Sequence, residues 1–242
     1  MQKRTVEFIR ALRAAGIRIS LAESQDAMFG IDHTGVRDVE TFKSTLKATL
    51  VKEHNDQPTF DYFFPLFFSN NKPPLENILD QLTDEQKEIL QEAMQSLMGN
   101  MDALRDLLQR LLEGRNFSDE EMEQMGDQSG LPQGDEMYMR QWFERRMNRQ
   151  AGLAQLERML EELLNELAEA GMSDEALAEL EAMLRENMMG LSEQISQHVG
   201  QSLAEQMAER DQQEKPDLLD VPLQQLNSGD IDNVRDEVRR LA

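Results

Sequence analysis

If this chain bound a catalytic metal, its histidines and acidic residues would be the ligands. Carboxylate-bridged di-iron bundles use Glu-x-x-His pairs, because this spacing puts both ligands on one helix face. His54 directly follows Glu53, and His198 lies five residues after Glu193, so neither histidine has that spacing. His33 lies in a glycine-flanked segment that we predict to be a turn. We interpret all three as surface or structural residues and predict no metal site.

The sequence also lacks the patterns of nucleophilic and phosphate chemistry. It has no cysteine, which excludes disulfides and thiolate catalysis. It contains no glycine-rich phosphate-binding motif. The segment Gly190-Leu-Ser192 comes closest to the G-x-S-x-G nucleophile motif but lacks its final glycine. We therefore predict a protein that is not an enzyme and has no catalytic residue and no cofactor.

The charge is large and uneven, with a formal net value of -22. Residues 1–52 hold nine basic and six acidic residues, whereas the remainder holds 16 basic and 41 acidic residues. Nucleic acid and anionic membranes are poor partners for so acidic a chain.

The N-terminal residues lack the apolar core of a signal peptide, and no run approaches the roughly 20 apolar residues of a spanning helix. We predict a cytoplasmic protein without membrane insertion.

Hydrophobic residues recur at helical spacing almost throughout, and the alternation typical of strands is missing, so we predict an all-α fold. Residues 1–70 are predicted to form a compact helical domain. Residues 75–215 are predicted to form elongated acidic helices, with a long antiparallel hairpin at about 136–210. Residues 216–242 are predicted to be a linker and the start of a further helix.

Helix boundaries in the N-terminal domain follow from caps and breakers. Gly16 is predicted to end the first helix, and a capping box at Ser20 to start a second helix that stops near Gly30. The third and fourth helices are predicted over 38–51 and 56–68.

The inward faces of these last two helices follow from their apolar spacing. The inner face of the third helix is predicted to hold Val39, Phe42, Leu46 and Leu50. That of the fourth is predicted to hold Phe60, Phe63, Phe64 and Phe67. Pro65 predicts a kink or a late start in the fourth helix, because proline lacks an amide donor.

The acidic region is read in the same way. A stripe of leucine and methionine predicts one helix over 83–113, and a capping box at Ser118 predicts a short helix that ends before the breaker-rich loop 126–135. One or two helices are predicted over 136–170. A long helix is predicted over 174–210, although two glycines inside it weaken its continuity.

The 16 methionines have two readings, core packing and an adaptable partner surface, and core packing is the favoured one. The groups that would form such a surface are Met94, Met98, Met101, Met183, Met188 and Met189.

The N-terminal domain carries side chains that we predict to contact a partner. The basic ones would form one face that docks either on the acidic half or on another protein, and the two aromatic ones lie at the edges of the inner face of the fourth helix. These residues are Arg10, Arg13, Lys43, Lys47, Lys52, Tyr62 and Phe68.

Two stretches resemble a known family. They are the opening FIRALRAAGIRISLAESQDA with DVETFKSTLKATLVK and FDYFFPLFF, and the tail LLDVPLQQLNSGDIDNVRDEVRRLA. They are similar to the N-terminal region of CoxE-like proteins, which contain a von Willebrand factor type A (VWA) domain. The resemblance implies partnership with a MoxR-type AAA+ ATPase in chaperone-like or metallocofactor maturation of a client protein.

The family's VWA domain binds a divalent metal through a D-x-S-x-S motif, which this sequence does not contain. The VWA domain and its metal site are therefore expected to be absent from this chain. We predict a non-enzymatic adaptor or co-chaperone region whose oligomeric state stays open.

Two alternatives remain at this point. The chain could be a structural or oligomerising helical protein, with the stripe from Leu177 to Met207 between molecules. It could also be a metalloenzyme that uses carboxylates and His198.

Overall fold

The computed structural model describes residues 2–68, 72–98, 101–131 and 137–214. Within these residues it contains ten α-helices and no strand, so the prediction of an all-α fold is confirmed. The chain divides into two compact units. The N-terminal unit comprises residues 1–69 with 204–242, and the central unit comprises residues 70–203. The predicted linker and helix over 216–242 lie outside the described residues.

The first part of the N-terminal unit is a bundle of four short helices. They are α1 (Gln2–Ala14), α2 (Leu21–Thr34), α3 (Val39–Leu50) and α4 (Gln57–Phe68). The predicted capping box at Ser20 is present: the Ser20 amide donates to Glu23 Oε2 over 2.7 Å, and the Glu23 amide donates to Ser20 Oγ over 3.3 Å. Asp38 caps α3 by accepting from the Thr41 amide. These side chains satisfy amides that the first turn of a helix leaves unpaired.

Aromatic packing around Phe8 forms the core of this bundle. Phe8 is fully buried and meets Phe60, Phe67 and Phe68 edge to face, with ring centroids 5.4, 5.5 and 5.1 Å apart. Such pairs contribute about 0.5–1.5 kcal/mol each beyond the area they bury. The predicted inner face of α4 is confirmed, since all four of its phenylalanines are buried.

The second helix is longer than predicted, because Gly30 does not end it. α2 continues to Thr34 and ends at Gly35, whose φ of 76° suits glycine. Gly30 instead lies against α3. A Cβ at this position would come within 2.7 Å of Thr45 Cγ2, so the glycine lets the two helices approach each other.

Two further details of the N-terminal unit differ from the prediction. Val39 was placed on the inner face of α3 but is 56% exposed, because it occupies the first turn, beyond the bundle core. α4 begins at Gln57 and runs through Pro65, so a late start at the proline is wrong. Pro65 is exposed.

Six helices belong wholly or mainly to the central unit. They are α5 (Asp84–Met98), α6 (Asp102–Leu112), α7 (Asp119–Ser129), α8 (Arg140–Gln150), α9 (Leu153–Glu169) and α10 (Asp174–Glu214). Their leucines build one continuous core, to which α6, α9 and α10 contribute fully buried side chains. The stripe of α10, predicted as a possible contact between molecules, lies in this core, where Leu180, Leu191 and Ile195 are fully buried.

Two helix predictions in this unit are wrong. The single helix over 83–113 is two helices, because α5 ends at Met98 and α6 begins at Asp102. The intervening sequence includes Gly99 and Asn100, both poor helix formers. The helix from Ser118 does not stop before residue 126 but runs to Ser129 and ends at Gly130, which adopts the left-handed conformation.

α10 is one continuous helix over the described residues. Gly190 does not interrupt it, and a Cβ there would come within 2.4 Å of Leu75 Cδ2. The glycine therefore makes room for a leucine from the segment before α5.

Two buried amide side chains of α10 hold two loops of the central unit. Asn187 Oδ1 accepts from the Glu76 amide over 3.0 Å, and its Nδ2 donates to the Glu76 and Leu111 carbonyls, each over 2.8 Å. Gln194 likewise bonds both the amide and the carbonyl of Phe117, over 2.9 and 2.8 Å. The amide and carbonyl of Glu76 and of Phe117 thereby gain partners, and the Leu111 carbonyl gains a second donor beside the Gly114 amide.

We predict that Gly30→Ala lowers stability by about 1 kcal/mol or more, because overpacking against Thr45 exceeds the gain in helix propensity. In a Thr45→Ser background, which removes Cγ2 and keeps the hydroxyl, the same change is expected to raise stability by about 0.5–1 kcal/mol. Urea unfolding of the four proteins measures both effects. An equal effect of Gly30→Ala in both backgrounds would contradict close packing at this position.

We predict that Asn187→Leu lowers stability by about 2–4 kcal/mol, because it strands the part-buried amide and carbonyl of Glu76 and leaves the Leu111 carbonyl with only the Gly114 amide as donor. Thermal or urea unfolding followed by circular dichroism measures the loss. Gln197→Ala is the control on the same helix, since Gln197 bonds only an exposed glutamate, and it is expected to stay within about 0.5 kcal/mol of the parent. Unfolding of Asn187→Leu at the parental midpoint would refute the role of this amide.

Candidate interaction site

The predicted basic face is in large part paired within its own domain. Lys47 Nζ lies 2.7 Å from Asp61 Oδ2, and Lys43 Nζ lies 3.0 Å from Asp61 Oδ1. The two ammonium groups also lie over phenylalanine rings of α4, Lys43 at 5.6 Å from the Phe64 centroid and Lys47 at 5.9 Å from that of Phe60. These lysines therefore tie α3 to α4.

The contacts with these two lysines also affect the ionisation of Asp61. Hydrogen bonds from Lys47 and then Lys43 hold the pKa of Asp61 below its ordinary value, against a small opposing effect of burial. Asp61 thus favours its ionised form in the folded protein.

Arg13 also has a role inside the bundle. Its Nε donates to the Ile19 carbonyl over 2.9 Å, and its Nη2 donates to Ser24 Oγ over 3.1 Å. Arg13 therefore connects the end of α1 to the loop and the first turn of α2.

The remaining predicted contact residues differ in exposure. Arg10 is half-buried, and Lys52 is exposed and forms no ion pair with any described residue. Tyr62 is 39% exposed. Phe68 is half-buried and lies edge to face against Phe42, with centroids 4.8 Å apart, as well as against Phe8. Lys52 and Tyr62 are the members of the predicted set that present most surface to solvent.

Arg4 is a structural contact that the sequence interpretation missed. Its Nε donates to the Phe67 carbonyl over 3.0 Å, its guanidinium lies 5.0 Å from the Phe67 ring centroid, and it forms an ion pair with Glu205. Arg4 thus connects α1 with α4 and with the last turns of α10. The separation of 201 positions between Arg4 and Glu205 explains why local spacing could not reveal the pair.

The structure adds an apolar surface around the α2–α3 connection. Phe29 in α2 is 63% exposed, Val36 in the connection 38%, and Val39 at the start of α3 56%. Val36 also borders a pocket of about 280 Å³, whose lining residues are Gln2, Thr5, Met28, Ile31, Asp32, Gly35 and Val36. Exposed large apolar side chains beside a pocket are typical of a surface that binds another molecule.

The parts of the chain that the structure describes contain no metal-binding cluster. No group of three or more His, Asp and Glu residues there is arranged to hold a metal ion. His33 bonds the Phe29 carbonyl in its own helix through Nδ1, at 2.9 Å, and His54 is exposed. None of the helices in these parts combines the length and apolarity needed to cross a membrane.

The methionine groups divide between the two readings. Met94, Met183 and Met188 pack against the core of the central unit. Met101 and Met189 are exposed, at 38% and 67%. The side chain of Met98 lies outside the description.

These features define a class: a small all-α bundle with paired charges and an exposed apolar surface. Residues 5–71 match the family described as the CoxE N-terminal helical bundle domain. This match confirms the resemblance for the N-terminal block and covers 67 of the 242 residues. The N-terminal block is therefore similar to the CoxE-type helical bundle domain. No curated protein and no solved structure matches the chain at a significant level.

We predict that Asp61→Asn lowers stability at neutral pH by about 0.5–1 kcal/mol, a small effect because the pair is solvent-screened. The lowered pKa means that the ionised acid stabilises the fold above its unfolded pKa, near 3.8, and that this contribution is lost as pH falls through the folded value. The difference between parent and variant should therefore shrink below about pH 4.

Urea midpoints at a series of pH values measure this difference. Asp26→Asn is the control, because Asp26 is exposed and forms no ion pair among the described residues. A difference that stays constant from neutral to acidic pH would show that the Asp61 charge does not contribute.

Proposed function

We propose that this chain is a non-enzymatic adaptor region of a VWA-protein system that acts with a MoxR-type AAA+ ATPase in maturation of a client protein or its metallocofactor. The match of residues 5–71 to the CoxE N-terminal helical bundle domain carries this proposal. The resemblance to CoxE-like proteins implies a VWA protein that works with such an ATPase. In this role the chain recruits or positions a client, and the ATPase supplies the energy.

The distribution of exposed side chains supports a contact through the α2–α3 connection. Lys43, Lys47 and Arg13 are engaged inside the bundle, so their main role is to hold its helices together. Phe29 and Val39 have no such role and place apolar area in solvent. Burying such area on a partner is favourable at about 25 cal/mol per Å². We therefore assign the partner contact of this domain to Phe29, Val36 and Val39. The aromatic Tyr62 and the basic Lys52, both predicted from the sequence, would add to it.

The oligomerising alternative loses, within the described residues, the surface on which it was based. The stripe from Leu177 to Met207 was its basis, and the structure buries most of these side chains in the core of the same chain. A helix whose apolar face is already covered has little left to bury against a second copy.

Binding to the ATPase tests the proposal. The chain, immobilised, is expected to retain the MoxR-type ATPase from the same source and to change its rate of ATP turnover. Phe29→Ala/Val39→Ala is expected to weaken retention at least about tenfold, because exposed apolar anchors dominate interface energies. Both substitutions remove exposed side chains, so stability should change by less than about 0.5 kcal/mol.

Two further variants make the result specific. Met189→Ala removes a side chain of similar exposure from the central unit and is expected to bind like the parent. Tyr62→Ala tests the aromatic contact predicted from the sequence. A parent chain that neither retains the ATPase nor alters its turnover would overturn the adaptor role.

A further inference from the structure

One face of α8 is built from residues of an unusual kind for an exposed helix surface. The inward face of α8 carries Phe143 and Met147, which are 3% and 0% exposed. The outward face carries one tryptophan and three arginines at positions i, i+3, i+4 and i+7, a spacing that aligns side chains on one side of a helix. This Trp–Arg face consists of Trp142, Arg145, Arg146 and Arg149.

The arginines of this face are not neutralised within the described structure. Arg145, Arg146 and Arg149 are exposed, and none forms an ion pair with a described acid. Arg140 on the same helix is different, since its Nε lies 2.7 Å from Glu144 Oε1 and its Nη2 donates to Ser196 Oγ over 2.8 Å. Arg146 Nη2 also donates to the Gln128 carbonyl over 3.4 Å, but all three arginines of the face remain exposed.

The charge of this face is opposite to that of its surroundings. Residues 70–203 hold 11 basic and 28 acidic residues, and α8 alone contributes four of the basic ones against a single acid. Outside α8, therefore, 7 basic residues stand against 27 acidic ones. A small positive site in a strongly negative unit gives a local attraction for anionic groups that the remaining surface repels.

The tryptophan adds an apolar anchor beside these charges. Trp142 is 48% exposed, and the Arg146 guanidinium lies 5.1 Å from its ring centroid. This cation–π contact orients the arginine along the helix face and leaves part of the indole open to a ligand. Tyr138, in the short 3-10 turn Met137–Met139 directly before α8, is 80% exposed. Tryptophan, tyrosine and arginine are the residues most enriched among energetic hot spots of protein interfaces.

We propose that the Trp–Arg face binds a short acidic segment of another protein. Arg145 and Arg149 are spaced i, i+4, so two carboxylates with a similar separation, such as glutamates one turn apart on a helix, can each accept from one guanidinium. An apolar side chain one turn beyond the carboxylate that meets Arg145 covers Trp142, which lies one turn before Arg145 on the same face. The face lies outside the matched residues 5–71, so this assignment stands whether or not the chain acts with an ATPase.

The small size of the Trp–Arg face favours a short acidic peptide over a nucleic acid as its ligand. Arg145 to Arg149 span about 6 Å along the helix axis at 1.5 Å per residue, which is enough to neutralise two or three anionic groups. Nucleic acids carry phosphates continuously and gain affinity from many of them. The acidic surface beyond the face opposes such an extended polyanion, whereas a segment with two carboxylates places no further charge there.

The chain's single tryptophan makes the site directly observable, since its emission reports on this face alone. The probe is a capped, alanine-based helical peptide with two glutamates spaced i, i+4 and a leucine one turn to either side of this pair. Titration into the full chain at low salt is expected to give a saturable change in Trp142 emission that weakens as salt is raised. The same peptide with glutamines in place of the glutamates is expected to bind at least about tenfold more weakly.

Charge reversal on the protein provides the second test. Arg145→Glu/Arg149→Glu is expected to weaken binding of the glutamate peptide at least about tenfold. Arg18→Glu/Arg37→Glu changes the net charge of the chain by the same amount at two exposed positions of the N-terminal unit, and is expected to bind like the parent. Circular dichroism melting of both variants establishes that they are folded.

Three outcomes would overturn the proposal. The first is no saturable change in emission with the glutamate peptide. The second is an equal loss of binding in the two double variants, which would show an effect of net charge rather than of this face. The third is tighter binding of a single-stranded oligothymidylate than of the peptide, which would assign the face to nucleic acid.

Discussion

The central unit depends on hydrogen bonds for the peptide groups of two loops that its core encloses. An enclosed amide or carbonyl without a partner costs about as much as a lost hydrogen bond. α10 meets this requirement with the side chains of Asn187 and Gln194, spaced two helical turns apart. Each of these side chains offers a donor and an acceptor. It therefore fixes the position of a loop as well as pairing the loop's peptide groups. The leucine stripe of α10 then packs in one core with the leucines of α6 and α9.

Features that depend on neighbours in the sequence could be predicted, and features that depend on distant neighbours could not. The capping boxes at Ser20 and Ser118 and the periodic cores are local, and they are present as expected. Gly30 and Gly190 resemble helix breakers in the sequence. In the fold they allow close approach of a side chain from another segment, which no local pattern reveals. The same limit applies to the start of α6 at Asp102, because the apolar stripe continues across the interruption.

The charged residues of the candidate site show the same limit, because their partners are distant in the sequence. The sequence reveals that Lys43 and Lys47 are positive, but their partner Asp61 is 14 residues or more away and lies in another helix. Exposed apolar residues are also difficult to predict, because helical periodicity assigns apolar residues to the interior by default. Only the fold shows that Phe29 and Trp142 face outward. Sequence could therefore identify the family of the N-terminal domain and the all-α class, but not which of its surfaces are open to a partner.

The two exposed surfaces differ in physical kind, and this difference bears on how an adaptor would work. Apolar contacts at Phe29 and Val39 would gain affinity from burial, which salt hardly weakens. Contacts to Arg145 and Arg149 would depend on salt and on the spacing of the partner's carboxylates, which favours selectivity. The acidic surface elsewhere repels other acidic proteins and so works against unintended binding. Two surfaces with different chemical requirements would not compete for the same partner, so one chain could hold an ATPase and a client at the same time.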